Sequence, residues 1–268
     1  MWFWAAGRMW PLADGRATEY MPPMAFRVLT ACLTLALPAP AAAETPDCVV
    51  LLHGLARSDT SFVIMEEALA AEGFAVVNSD YDSALGPIED LSATALPAAI
   101  GQCPEEAAQV HFVTHSMGGI LLRQWFATAT EPRLGRTIML APPNQGSELV
   151  DELAEFAPFD WVNGPAGGQL GTEGLPRRLG PVWAEVGIIA GNRSLNAVYS
   201  MILPGEDDGK VSVASTKVEG MAAHLTMPVT HTFLMNNPLV IGQTLHFLRT
   251  GAFQPDLGFL DVVETFSD

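Results

Sequence analysis

Ser116 lies in Phe112-Val113-Thr114-His115-Ser116-Met117-Gly118-Gly119, where an apolar run passes through a serine into two glycines. A serine hydroxyl is a poor nucleophile in water until a neighbouring imidazole accepts its proton, and a carboxylate can then orient that imidazole and stabilise its charged form. The chain has six histidines, His53, His111, His115, His224, His231 and His246, and an acidic loop, Gly205-Glu206-Asp207-Asp208-Gly209-Lys210-Val211. The serine segment approximates G-x-S-x-G, a strand-to-helix turn so tight that residues two positions away must be small and the hydroxyl projects above the sheet. Gly118 and Gly119 meet that demand on one side. Thr114 stands where the leading glycine is usual, so the motif is incomplete, and only a strand–turn–helix setting distinguishes it from a buried serine in an ordinary turn.

That setting is present. Val49-Val50-Leu51-Leu52 is a continuous aliphatic run of the kind found in buried parallel strands, and it ends at His53-Gly54. Ser61 to Glu72 has helical spacing through Phe62, Met65 and Leu69, with Gly73 as its stop. Strands are predicted at 74–77, 110–113, 137–140 and 186–189, and helices at 88–100, 117–127 and 238–248. Strands alternating with helices imply one α/β domain with a parallel sheet covered on both faces. Between Ala141 and Trp183 the pattern dissolves into Gly, Pro and scattered aromatics, Phe156, Phe159 and Trp161. A connection of that length usually has a function of its own, such as covering a site; packing on the sheet as a structural excursion is the alternative.

Composition narrows the possible partners. The 268 residues are 49% apolar and 16% charged, which opposes disorder, and the formal charge of −17 opposes nucleic acid or anionic lipid as an electrostatic partner. Arg27 precedes a short apolar run, Val28 to Leu37, and then Pro38-Ala39-Pro40-Ala41-Ala42-Ala43, the pattern of a secretory signal peptide. The run is half the ~20 residues needed to span a bilayer. Residues 1–43 are therefore expected to be an N-terminal extension and signal peptide, with translation starting at Met21 or Met24 as one possibility, and 44–268 the folded domain. Leu29-Thr30-Ala31-Cys32 only loosely resembles a lipidation box, because a strongly apolar stretch follows it. Export would leave Cys48 and Cys103, an even pair that reads as a disulfide in an exported protein.

Taken in order, His53-Gly54 after the first buried strand, the Ser116 turn, an acid and then a histidine make the chain resemble the α/β-hydrolase superfamily, specifically bacterial lipases and esterases. The resemblance spans about residues 46–250. It implies the α/β-hydrolase fold, a mostly parallel central sheet flanked by helices, with a lid-like insertion at 147–183; Ala141-Pro142-Pro143-Asn144-Gln145-Gly146-Ser147 resembles the segment that leads into such lids. It implies the chain order Ser, Asp, His, with Ser116 as nucleophile. In the lipases it resembles, the aspartate directly precedes a glycine with a valine shortly after, which points to Asp208, with Asp207 as runner-up. His231, after a run ending at Thr230 and before the last helix, is the expected base. His224, at the far end of any strand formed there, and His246, within the helix, are less suited; His111 lies within a strand and His115 is held by the turn.

Further expectations follow from the same resemblance. The backbone N–H groups of Leu55 and Met117 would form the oxyanion hole, supported by the His53-Gly54 loop, where His53 would act by ordering the chain. The strands ending at His53 and Thr114 would be neighbours, which places Cys48 and Cys103 together at the edge away from chemistry. Many bacterial lipases hold calcium through an aspartate two residues after the catalytic histidine; Phe233 stands there, so no such metal site is expected, and no cofactor. The implied protein is an exported, periplasmic or extracellular, serine hydrolase of carboxylic esters, its substrate a small-molecule or lipid ester, with transient contact with a lipid interface. An acyltransferase using the same acyl-enzyme, or a non-catalytic binding protein retaining the fold, are the other readings.

Overall fold

A computed structural model describes residues 45–153, 157–182 and 184–265. The expected signal segment at 1–43 and Phe156 lie outside the described residues, as do the side chains of Phe159 and Trp161. Six strands, β1 (Cys48–Leu52), β2 (Ala75–Ser79), β3 (Val110–His115), β4 (Leu134–Leu140), β5 (Val186–Gly191) and β6 (Ala223–Met227), form a single sheet in the order β2-β1-β3-β4-β5-β6. Every pairing is parallel. In β1 all five residues are buried, because alternate side chains enter two different cores: Cys48, Val50 and Leu52 on one face, Val49 and Leu51 on the other. That double burial is why the strand reads as an unbroken apolar run.

Helices α2 (Ile88–Ile100) and α3 (Met117–Phe126) supply the first core with Leu96, Ile120 and Leu121; α1 (Val63–Ala71) and α8 (Pro238–Thr250) supply the second with Met65, Leu69, Leu245 and Phe247. The apolar spacing read from Phe62, Met65 and Leu69 is the buried stripe of this second layer. α8 starts where Asn237 accepts hydrogen bonds from the Leu239 and Val240 N–H groups and ends at Gly251, whose φ is 78°.

Among the described residues, the stretch expected to be irregular carries α4 (Glu148–Leu153), α5 (Ala157–Gly168), which is kinked at Gly164, and α6 (Leu175–Arg178). Gln169 ties this segment to the start of α2, accepting from the Ile88 N–H at 2.7 Å and donating to Glu89 at 2.7 Å. Two further helices leave no apolar periodicity in the sequence: α7 (Ala197–Ile202), which buries none of its residues, and α9 (Phe259–Thr265). Both lack the buried apolar stripe on which a periodicity reading depends.

The order in which strands are added across the sheet reverses at β1, whose neighbours are β2 on one side and β3 on the other. The crevice beyond the carboxyl ends of such a pair is where open α/β sheets place their ligands. At the opposite end, Cys48 and Cys103 form a disulfide with Cα atoms 5.7 Å apart, bracing the amino end of β1 against the approach to β3. Closing a loop with a sequence separation of 55 is worth about 4 kcal/mol in the chain-entropy account. The double variant Cys48→Ala/Cys103→Ala is expected to lose up to that much in denaturant titration, about what reduction costs the wild type. Retained site geometry in the surviving folded fraction would show as unchanged active-site labelling at low temperature.

Candidate active site

β3 passes into α3 through Ser116, whose φ of 54° and ψ of −122° are unusual for a residue with a side chain. Such strain costs about 1–3 kcal/mol and persists only where the surroundings over-determine it. Here the Ser116 N–H donates to the Leu140 carbonyl at 2.8 Å, and its own carbonyl accepts from Gly119 N–H at 3.1 Å. A Cβ on Gly118 would come within 2.3 Å of the Leu52 carbonyl oxygen and 2.7 Å of that of His53, so only glycine permits this approach to the end of β1. A Cβ on Gly119 would lie 3.2 Å from Thr114 Oγ1. That contact explains how threonine is accommodated where the motif usually has glycine: the second glycine vacates the space. From Val110 to Arg123 every residue is buried except Ser116.

The acidic loop and the histidine loop meet nearby. Asp208 is 2% exposed and His231 4%. The His231 Nδ1–H donates to Asp208 Oδ2 at 2.8 Å, while Oδ1 accepts from the Lys210 and Val211 N–H groups at 3.0 and 2.8 Å. The loops are also joined through the main chain, His231 N–H donating to the Asp208 carbonyl at 3.0 Å. With Nδ1 donating to a carboxylate, a neutral imidazole presents its lone pair at Nε2. The adjacent Asp207 turns elsewhere: its Oδ1 accepts from Ser200 Oγ at 2.9 Å and Gly209 N–H at 2.7 Å, fastening α7. Of the two candidate aspartates it is thus Asp208, not the runner-up Asp207, that meets His231.

The remaining histidines have separate tasks. His115 Nε2 lies 3.0 Å from the His231 carbonyl, and the two rings stand 4.6 Å apart. Burial, then the neighbouring His231 and Arg57, push His115 well below its ordinary value, so it is neutral and donates to that carbonyl. His53 Nδ1 bonds to the Gly54 carbonyl at 2.9 Å, its ring stacks on Tyr81 at 4.1 Å, and the Tyr81 hydroxyl donates to the His53 carbonyl. These contacts order the loop that carries Leu55. Away from this centre, His111 Nδ1 accepts from Arg136 N–H at 2.8 Å, His224 pairs with Thr216 Oγ1 at 2.8 Å, and His246 sits on α8.

Ser116, His231, His115 and Leu55 line one cavity of about 420 Å³. Its apolar side comes from Leu149, Val150, Leu153 and Leu170, on and after α4; Asn163, Tyr199, Arg57 and Lys210 add polar and cationic groups. The last four were not singled out by sequence, since a pattern of spacing contains no information about which distant loops share a rim. No hydrogen bond joins the Ser116 hydroxyl to His231 in this structure. Neither the Leu55 nor the Met117 N–H is engaged by another described residue, and Met117 opens α3, where the helix dipole favours negative charge. Phe233 is 53% exposed, and among the described residues no group of three or more His, Cys, Asp or Glu is placed to hold a metal ion.

A parallel sheet whose third strand ends in a strained serine, opposite a histidine–aspartate pair, defines a class. The alpha/beta hydrolase family model matches residues 49–238, and the chain belongs to that family. Its fold is shared by the mature form of a lipase from Bacillus licheniformis (18% identity, TM-score 0.59, covering 79% of this chain and 95% of that one). The phospholipase PlaB from Legionella pneumophila is similar over 81% of this chain and 62% of its own (16% identity, TM-score 0.60). So is a structure from work on two metagenome-derived lipolytic enzymes, LipS and LipT (20% identity, TM-score 0.56, covering 77% and 94%). No curated protein matches by sequence.

Burial holds His53, His111 and His115 below the ordinary histidine value of 6.5. The unfolded chain therefore binds these protons first as pH falls, so stability is full above about 6.5 and declines below it. Thermal melts across this range should show a falling Tm on acidification. In His115→Gln, whose amide can still donate to the His231 carbonyl, the decline should be shallower; parallel profiles would remove His115 from the account.

Proposed function

We propose that the protein hydrolyses carboxylic esters, with Ser116 as nucleophile, His231 as general base and acid, and Asp208 orienting the imidazole. The observation that carries this reading is the buried 2.8 Å contact between His231 Nδ1 and Asp208 Oδ2 at the rim of the cavity into which the strained Ser116 opens. His231 Nε2 takes the hydroxyl proton as Ser116 Oγ attacks the ester carbonyl; the resulting oxyanion is met by the N–H groups of Leu55 and Met117. Each such donor is worth about 3–4 kcal/mol of barrier in well-studied enzymes. Collapse expels the alcohol, protonated by His231, and water then releases the acid by the same route. Bonds between nucleophile and base are often loose before substrate arrives, which accords with the separated Ser116 and His231.

The apolar wall contributed by α4 and Leu170 suits an acyl chain, and α4 to α6 are the part of the 147–183 insertion that would act as its cover. Exposed Val198 and Met201 flank Tyr199 at the cavity, which suits apolar substrates approaching from that side, a lipid interface included. The segment ending at Ala43, together with the Cys48–Cys103 disulfide, supports export. Mass spectrometry of the exported protein should then find an amino terminus at or near Glu44; a retained leader would argue otherwise.

A fluorophosphonate probe should label the wild type and not Ser116→Ala. Asp208→Asn should lower kcat for aryl esters by about 10⁴-fold, the loss seen when a triad aspartate is neutralised, whereas Asp207→Asn should keep nearly all of it. Failure of well-folded protein to label or turn over any ester would favour a binding protein that has kept the fold.

A further inference from the structure

Two cations stand at the rim of the cavity in a chain where 30 acidic residues face 13 basic ones. Arg57 follows Ala56, whose φ of 51° turns the loop after Leu55. Lys210 is anchored from both sides of its backbone: its N–H donates to Asp208 Oδ1 at 3.0 Å, and its carbonyl accepts from Ser147 Oγ at 3.1 Å, at the start of the 147–183 insertion. Three arginines are matched with acids, Arg133 with Glu131, Arg136 with Glu185 and Arg249 with Glu72, and buried Arg123 is bonded to Asn144 and the Gly180 carbonyl. No ion pair among the described residues includes Arg57 or Lys210. The acid that does act on Lys210 is Asp208, whose carboxylate is already filled by His231 and two N–H groups.

The two cations also feel each other. Burial first and Arg57 second push the Lys210 ammonium down, against the pull of Asp208. Arg57 and Lys210 both push His115 down as well, and both line the same cavity as His115 and His231. Because the molecule as a whole is negative, these charges do not steer anions from afar; their effect is local to the cavity. On the ester-hydrolase reading His231 protonates the departing alcohol, so Lys210, whose N–H bonds to the same Asp208 carboxylate as His231, and Arg57 on the same cavity are assigned to the alcohol half, and the apolar Leu149, Val150, Leu153 and Leu170 to the acyl half.

We propose that Arg57 and Lys210 form a subsite for an anionic substituent, carboxylate or phosphate, on the alcohol half of the substrate. The preferred substrates are then apolar acyl esters of acidic alcohols. This rests on the ester-hydrolase reading, and the test separates the two.

Esters paired with and without the anionic group provide the measurement, each ratio taken relative to that for alkaline hydrolysis of the same pair: para-carboxyphenyl butyrate against para-carbamoylphenyl butyrate, and butyryl glycerophosphate against monobutyryl glycerol. In the wild type the anionic member of at least one pair should have the higher kcat/KM, and the pair that shows it tells carboxylate from phosphate. The anionic-to-neutral ratio should shrink as salt is raised, drop about tenfold in Arg57→Gln and in Lys210→Gln, and recover in Arg57→Lys. Ratios at or below one in both pairs, or ratios the same in the variants, overturn the subsite while leaving ester hydrolysis standing. If no ester turns over, calorimetric binding of the same pairs to Ser116→Ala decides the subsite separately. Tighter binding of an anionic member that is lost on adding Arg57→Gln supports it, and equal binding overturns it.

Discussion

At the carboxyl edge of the sheet, the first turn of α3 lies against the end of β1 so closely that the Leu52 carbonyl occupies the space a Gly118 side chain would need. This backbone-to-backbone contact fixes the distance between two loops, one carrying Leu55 and the other Ser116. The strained conformation at Ser116 depends on it, because it sets the start of the helix over the neighbouring strand. The sheet supports the same arrangement from the other side, through the Ser116 N–H bond to the Leu140 carbonyl. Strain of a few kcal/mol is sustained by a frame whose strands are buried on both faces.

The molecule separates bracing from chemistry along the strand direction. Cys48 and Cys103 link the amino end of β1 to the approach to β3, where no site residue lies. The carboxyl ends carry Ser116, Asp208 and His231, and three of the histidines have separate partners there. His53 orders the first loop, His115 grips the backbone of His231, and His231 itself bonds to Asp208. His231 is thus held by the Asp208 carboxylate on one side and by His115, which burial keeps well below its ordinary value, on the other.

Much of this was legible because it depends on local pattern. β1 and β3 are apolar runs since both faces are covered, and α1 repeats its apolar residues at helical spacing since one face is. Ser116 was visible through its glycines, and Thr114 looked like a defect until Gly119 was found to leave room for it. α7 was not legible, because it buries no residue and is held by a polar contact from Ser200 to Asp207 that no periodicity encodes. The helices of the 147–183 segment were missed for a related reason: their fastening, such as that of Gln169 to Ile88 and Glu89, reaches across some 80 residues of chain.

The amino-acid sequence alone determined the layered α/β architecture, the serine at a strand-to-helix turn, and the acidic and cysteine-paired character of the chain. These depend on the order of residue types over a few turns of helix or one strand. Tertiary structure decided that Asp207 turns to Ser200, that His115 holds the backbone of His231, and that Arg57 and Lys210 share a rim with Ser116. Those outcomes depend on the crossing of loops far apart in the chain, and a carboxylate or a cation takes its role from the groups that packing brings within a few ångströms.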